Sequence, residues 1–173
     1  MLGGARSGKS LHAEGLLAGV PAVTYVATAR HDPEDAEWAA RIAEHVARRP
    51  PGWHTVEPTD LAAVLRDASP GDPPILVDDL ATWLTGVLDD TGGWDGSLVP
   101  ARKAVAELVD AIGECRAEPV LVSAEVGLGV VPHTRSGRLF RDELGALNAA
   151  IADQCTDVVL LVAGIPLRLK PGR

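Results

Sequence analysis

The sequence predicts an α/β chain with a mainly parallel sheet and helices on both faces. Three observations carry that reading. Apolar, β-branched runs at residues 23–28, 75–77, 119–123 and 157–162 are continuous rather than alternating, as strands buried on both faces are. Amphipathic stretches lie between them, which is the order of βαβ units. A glycine-rich turn that runs straight into a helix opens the chain. At 173 residues, with no internal repeat, low-complexity tract or linker, residues 1–173 read as a single domain.

The elements follow in order. Residues 11–17 suit a short helix ending near Gly19, and a strand follows at 23–28. Pro33 fits a first helical turn, and Glu34, Asp35 and Glu37 suit its positive end. That helix is expected to reach Arg48, where Pro50, Pro51 and Gly52 stop it. A short strand at 53–57, a helix at 60–67 and a loop at 69–74 lead to the strand at 75–77, which closes on Asp78 and Asp79. A helix over 80–88, a glycine-rich loop over 89–97 and a long helix over 99–116 precede the strand at 119–123. Residues 127–132 are a loop and 134–152 a helix, before strands at 157–162 and 165–169.

Composition excludes several classes. A net charge of −8 argues against a nucleic-acid-coating role, which wants a basic surface. No apolar run approaches the ~20 residues of a membrane helix, so no integral membrane segment is expected. No secretory leader pattern opens the chain, and a cytoplasmic location is expected. Cys115 and Cys155 stand apart, without a CxxC or a histidine at ligand spacing, so no zinc cage is expected and a reducing compartment suits them. Aromatic residues make up only 3% of the chain, so the core must be built from Val, Leu, Ile and Ala.

The segment Gly3-Gly4-Ala5-Arg6-Ser7-Gly8-Lys9-Ser10 satisfies the phosphate-loop pattern G-x-x-x-x-G-K-[ST]. Its glycines let backbone N–H groups turn inward around a phosphate. Lys9 reaches the β- and γ-oxygens, Ser10 offers a hydroxyl to Mg²⁺, and the following helix points its positive end at the anion. Lys9 is one of three lysines against thirteen arginines, which fits a need for a compact point charge. The bland alternative is a glycine-rich turn. Only Met1 and Leu2 precede the loop, where four or five apolar strand residues are expected, so the first strand is read as incomplete and the start as lying upstream. The second metal carboxylate is expected at a neighbouring strand end, and the run Ile75-Leu76-Val77-Asp78 supplies it. Asp79 competes for that role, and Asp78 also suits the N-cap of the next helix.

Trp38, Ile42, His45 and Arg49 share one helical face, with Arg41 and Arg48 flanking His45. Spacing leaves two readings of His45: a satisfied, partly buried histidine, or a nucleophile kept neutral by neighbouring cations that also stabilise a transferring phosphoryl group.

These segments together resemble a family. The phosphate loop is followed by Ala27-Thr28, then by Arg41-Ile42-x-x-His45-x-x-Arg48-Arg49-Pro50-x-x-Trp53-x-Thr55-x-Glu57. Ile75-Leu76-Val77-Asp78 comes next, then Glu125-Val126-Gly127-Leu128-Gly129-Val130-Val131-Pro132 and Phe140-Arg141-Asp142. The chain resembles, from Gly3 to about Lys170, the bifunctional adenosylcobinamide kinase / adenosylcobinamide-phosphate guanylyltransferases of cobalamin biosynthesis. The resemblance implies a three-layer P-loop NTPase fold of the RecA-like kind. It implies phosphorylation of adenosylcobinamide by ATP or GTP, then transfer of GMP from GTP to that phosphate through a GMP–histidine phosphoramidate on His45. By motif match it places Gly3, Gly4, Ala5, Arg6, Ser7, Gly8, Lys9 and Ser10 on phosphates. It places Ala27, Thr28, Ala29, Val46, Ala47, Arg48, Arg49, Glu57 and Asp78 at nucleotide-contacting positions, with Mg²⁺ at Ser10 and Asp78. It also implies a homotrimer.

Two family positions differ here: Ala124 stands for a common Asn, and Ala149 for a Gln. Arg135, Arg138 and Arg141 step along one helix and read either as a solvated face or as contacts to a phosphate or the corrinoid. Glu125 is a candidate for the substrate pocket, and Trp53 reads as core or rim packing that borders the nucleotide. Two other functions fit fewer residues. A monofunctional P-loop small-metabolite kinase has no use for His45, and a non-catalytic GTP-binding module would be expected to carry N-K-x-D, which is absent.

Overall fold

A computed structural model of the chain describes residues 1–30, 40, 42–43, 46–47 and 49–171. Seven strands form one sheet: β1 (Leu2–Gly3), β2 (Val23–Ala27), β3 (Trp53–Val56), β4 (Ile75–Asp78), β5 (Pro119–Ala124), β6 (Val158–Val162) and β7 (Ile165–Lys170). Their order is β3-β2-β4-β5-β1-β6-β7, and every neighbouring pair is parallel except β6–β7. The antiparallel edge follows from connection length. Only Ala163 and Gly164 join β6 to β7, too few for a crossover, and both take positive φ, 51° and 78°.

The helices among the described residues are α1 (Lys9–Leu16), α2 (Leu61–Asp67), α3 (Leu80–Asp90), α4 (Val99–Glu114) and α5 (Arg135–Gln154). Three begin at side-chain caps. Asp60 accepts from the Ala63 N–H, Asp79 from Thr82 and Thr134 from Gly137. Pro100 lies in the first turn of α4, where its missing N–H costs nothing. The expected helix from Pro33 to Arg48 falls largely outside the described residues.

Alternation along the strands builds two cores. Val26, Ile75, Val77 and Leu121 point to one face, where α2 to α5 close over them with Leu61, Leu65, Leu84, Leu88, Leu108 and Leu147. Val23, Tyr25, Leu76 and Val122 point to the other, against Ala13 and Leu17. Each fully buried aliphatic side chain contributes about 1.5–3 kcal/mol relative to exposure. The result is three layers, as expected. β1 lies between β5 and β6, with Leu2 opposite Ser123 and Leu160. The strand ends after β2, β4, β5 and β1 therefore lie along one edge of the parallel sheet, β5 between β4 and β1, and the site is built there.

Several bounds shift for physical reasons. The first helix starts at Lys9, two residues earlier than the apolar pattern suggests, because the phosphate loop feeds its backbone directly into the helix. The α4 helix stops at Glu114, and α5 extends to Gln154.

Candidate active site

The phosphate loop connects β1 to α1. Gly8 occupies the N-cap with φ 89°, a left-handed conformation that glycine adopts without strain. Gly3 is needed for a different reason: a Cβ there would collide with Ser7 Oγ and lie 3.1 Å from the Leu161 carbonyl. The loop is braced by the β6–β7 turn, whose Gly164 N–H donates to the Ser7 carbonyl (3.1 Å). Gly4, Ala5 and Arg6 line its open side; Ala5 and Arg6 are exposed, and Arg6 has φ 56°. Lys9 is buried, 9% exposed, although it carries a charge. Burying a cation without an anion is costly, so the loop is shaped for a negative ligand.

Lys9 and Ser10 enter a cavity of about 260 Å³ together with Tyr25, Ala27, Asp78 and Arg49. Ser10 Oγ donates to Asp78 Oδ1 (3.0 Å) and Tyr25 Oη donates to Oδ2 (2.6 Å). The Arg49 guanidinium lies 3.6 Å over the Tyr25 ring and donates to Thr55 Oγ1 (2.9 Å). Burial, and then the Asp78 carboxylate, push the Tyr25 phenol well above its ordinary range, with Arg49 opposing.

The adjacent carboxylates divide their work. Asp79, not Asp78, caps α3: its Oδ1 accepts from the Thr82 N–H (2.8 Å). The capping alternative for Asp78 is thereby corrected, and its carboxylate faces Ser10 instead. Desolvation raises the Asp79 pKa and Asp78 adds to it, while the Thr82 hydrogen bonds and Lys9 oppose. Ser10 and Asp78 present hard oxygens side by side next to Lys9, a donor set that fits Mg²⁺ sharing its shell with phosphates and water.

Ala29, Val46 and Glu57 also line the cavity, and Ile42 joins them. Ile42, Val46 and Arg49 follow helical spacing, so the described part of this segment turns that face to the cavity. Thr28 bonds Asp79 O and Thr82 Oγ1 and lines a second pocket of about 400 Å³ that shares Ala27, Ala29, Glu57 and Thr82 with the first. Ala47 is exposed and absent from both linings. His45 and Arg48, with Arg41 and Trp38, lie outside the described residues.

A family model described as cobinamide kinase / cobinamide phosphate guanyltransferase matches residues 1–169. The chain belongs to this family. It is 47% identical to the bifunctional adenosylcobalamin biosynthesis protein CobP of Pseudomonas aeruginosa, over 98% of this chain and 95% of that protein. It is 38% identical to the bifunctional adenosylcobalamin biosynthesis protein CobU of Escherichia coli and 39% to that of Salmonella typhimurium, each over 97% of both chains. As a member of the cobinamide kinase / guanyltransferase family the chain is a transferase.

Contacts within the chain place the other residues that the sequence singles out. Arg135 donates to the Trp94 carbonyl and pairs with Asp95, Arg138 donates to the carbonyls of Pro132 and His133, and Arg141 pairs with Asp142. Arg135 and Arg138 fasten loops to α5, Arg141 pairs within the helix, and none of the three lines the cavity. Glu125 turns back onto the Gly127 N–H (2.7 Å), outside the cavity lining. Trp53 is core, beside the Tyr25 ring at 6.3 Å. Tyr25, Thr55 and Thr82 belong to the cavity wall but escaped sequence reasoning. Tyr25 sits within a continuous apolar strand, and only its single hydroxyl hints at a polar partner.

Proposed function

We propose that this chain phosphorylates the hydroxyl of adenosylcobinamide with ATP or GTP, and then transfers GMP from GTP to the resulting phosphate. Family membership supports both activities. The observation that carries the reading is one cavity that holds Lys9, Ser10 and Asp78 of the phosphate-loop half together with Val46 and Arg49 of the segment that bears His45 in sequence.

In the kinase step, N–H groups of residues 3–10 and the Lys9 ammonium hold the β- and γ-phosphates. Oriented donors of this kind neutralise charge as the γ-phosphoryl group moves to the acceptor oxygen. Ser10 and Asp78 would hold Mg²⁺, which supplies further charge neutralisation when bound. In the second reaction a neutral His45 nitrogen attacks the α-phosphorus of GTP. The P–N bond forms as the bond to pyrophosphate breaks. The phosphate oxygen of adenosylcobinamide phosphate then attacks the same phosphorus, the P–N bond breaks, and adenosylcobinamide-GDP leaves. Splitting the transfer this way avoids bringing two anionic partners together in one step. Arg48 and Arg49 are assigned to the phosphates, and Ala27, Thr28, Ala29, Ala47 and Glu57 to the rest of the nucleotide. A cytoplasmic homotrimer is part of the proposal.

The test is covalent labelling. Incubation with Mg²⁺ and GTP labelled at the α-phosphate is expected to leave label on the denatured protein that acid removes and alkali does not, mapping to His45. A folded protein that binds GTP and retains no label overturns the histidine intermediate.

A further inference from the structure

The Asp78 carboxylate and the Arg49 guanidinium belong to separate parts of the chain, and one side chain touches both. Tyr25 is 1% exposed and stands on β2 between them. Its hydroxyl takes Asp78 Oδ2 (2.6 Å) while Ser10 takes Oδ1 (3.0 Å). A carboxylate rotates in a broad torsional well, so bonds to both oxygens from different directions select one orientation. The ring face carries Arg49 at 3.6 Å, and Thr55 holds the same guanidinium from another side. The Arg49 Nε is buried and makes no hydrogen bond to any of the described residues. Such a donor calls for an acceptor, and the cavity it borders offers a phosphate oxygen that place.

We propose that Tyr25 is a positioning residue that couples the two halves of the site, its hydroxyl orienting Asp78 and its ring orienting Arg49. The inference rests on the nucleotide reading above. A merely structural tyrosine makes a different prediction: its hydroxyl is dispensable, and phenylalanine in its place works as well. Under the proposal, loss of the hydroxyl loosens Asp78 alone, and loss of the ring loosens both groups.

Tyr25 is the chain's sole tyrosine, so protein grown with 3-fluorotyrosine reports on it through one ¹⁹F resonance. With the wild-type chain, GTP without Mg²⁺ is expected to shift that resonance through Arg49, and added Mg²⁺ to shift it again through Asp78. A resonance that follows GTP but ignores Mg²⁺, or the reverse, overturns the coupling. In parallel, Tyr25→Phe is expected to raise the Mg²⁺ concentration for half-maximal GTP labelling about tenfold, the effect of losing a hydrogen bond to a charged group, with GTP affinity in the absence of Mg²⁺ unchanged. Tyr25→Leu is expected to weaken both. A folded Tyr25→Phe protein with the wild-type Mg²⁺ midpoint also overturns the proposal. If the wild-type protein neither labels nor binds GTP, the nucleotide reading itself fails, and that outcome is distinct from the others.

Discussion

Lys9 and Asp79 are both largely withdrawn from water, and each exposes a different cost. The Lys9 ammonium at the start of α1 is held for an anion. Lys9→Ala is expected to weaken GTP binding at least tenfold, the scale of a lost charge-assisted hydrogen bond, read by calorimetric titration. His45→Ala is expected to abolish α-phosphate labelling while leaving circular dichroism and the melting temperature unchanged. Asp79 carries the pH dependence. Its pKa is raised above the ordinary 3.8, chiefly by desolvation, so its ionised form opposes folding at neutral pH. As pH falls from above the raised folded value toward 3.8, the folded state takes up the proton first and the opposition fades. Asparagine caps a helix as well as aspartate does but carries no charge. Asp79→Asn is therefore expected to match or exceed the wild-type melting temperature at pH 7, with the advantage shrinking as pH drops toward 4. An advantage that grows on acidification contradicts the assignment.

At the scale of elements, the ends were harder to read than the middles. The strands at 23–27, 75–78 and 119–124 were legible because burial on both faces demands continuous apolar residues. The α1 helix begins earlier than its apolar pattern because the glycine-rich loop runs directly into its first turn, where Lys9 and Ser10 face the cavity rather than the core. The sequence favours Asp78 as the metal carboxylate but leaves Asp79 in competition and Asp78 as a candidate cap; the turn between β4 and α3 shows that Asp78 faces Ser10 and Asp79 faces Thr82. The cap of α5 gives a test at this scale. Thr134 accepts from the Gly137 N–H (3.1 Å), and Thr134→Ala is expected to cost about 1 kcal/mol in urea unfolding. The neighbouring Arg138 bonds to Pro132 and His133 are expected to survive the change, since they do not involve the cap.

For the whole molecule, two cores on opposite faces of one sheet are joined through the alternating residues of β4 and β5, where Leu76 and Val77 point opposite ways, as do Leu121 and Val122. Such a sheet is expected to unfold as a unit. Leu147 of α5 is fully buried, and Leu147→Ala is expected to lower stability by about 2–5 kcal/mol while keeping a single cooperative transition, monitored by tryptophan fluorescence. The sequence by itself determined the layered α/β architecture, the phosphate loop, the Asp78 strand end and the family, because these are written in local periodicity, in glycine spacing and in motifs whose residues lie close along the chain. The tertiary structure alone decided that Tyr25 touches both Asp78 and Arg49, that Asp79 is the cap, and that Arg135 of α5 reaches the loop at Trp94 and Asp95. The first and last of these depend on contacts between segments distant in sequence, fixed by sheet order and strand register rather than by any local pattern; the Asp79 cap is local, and depends on how the chain turns from β4 into α3.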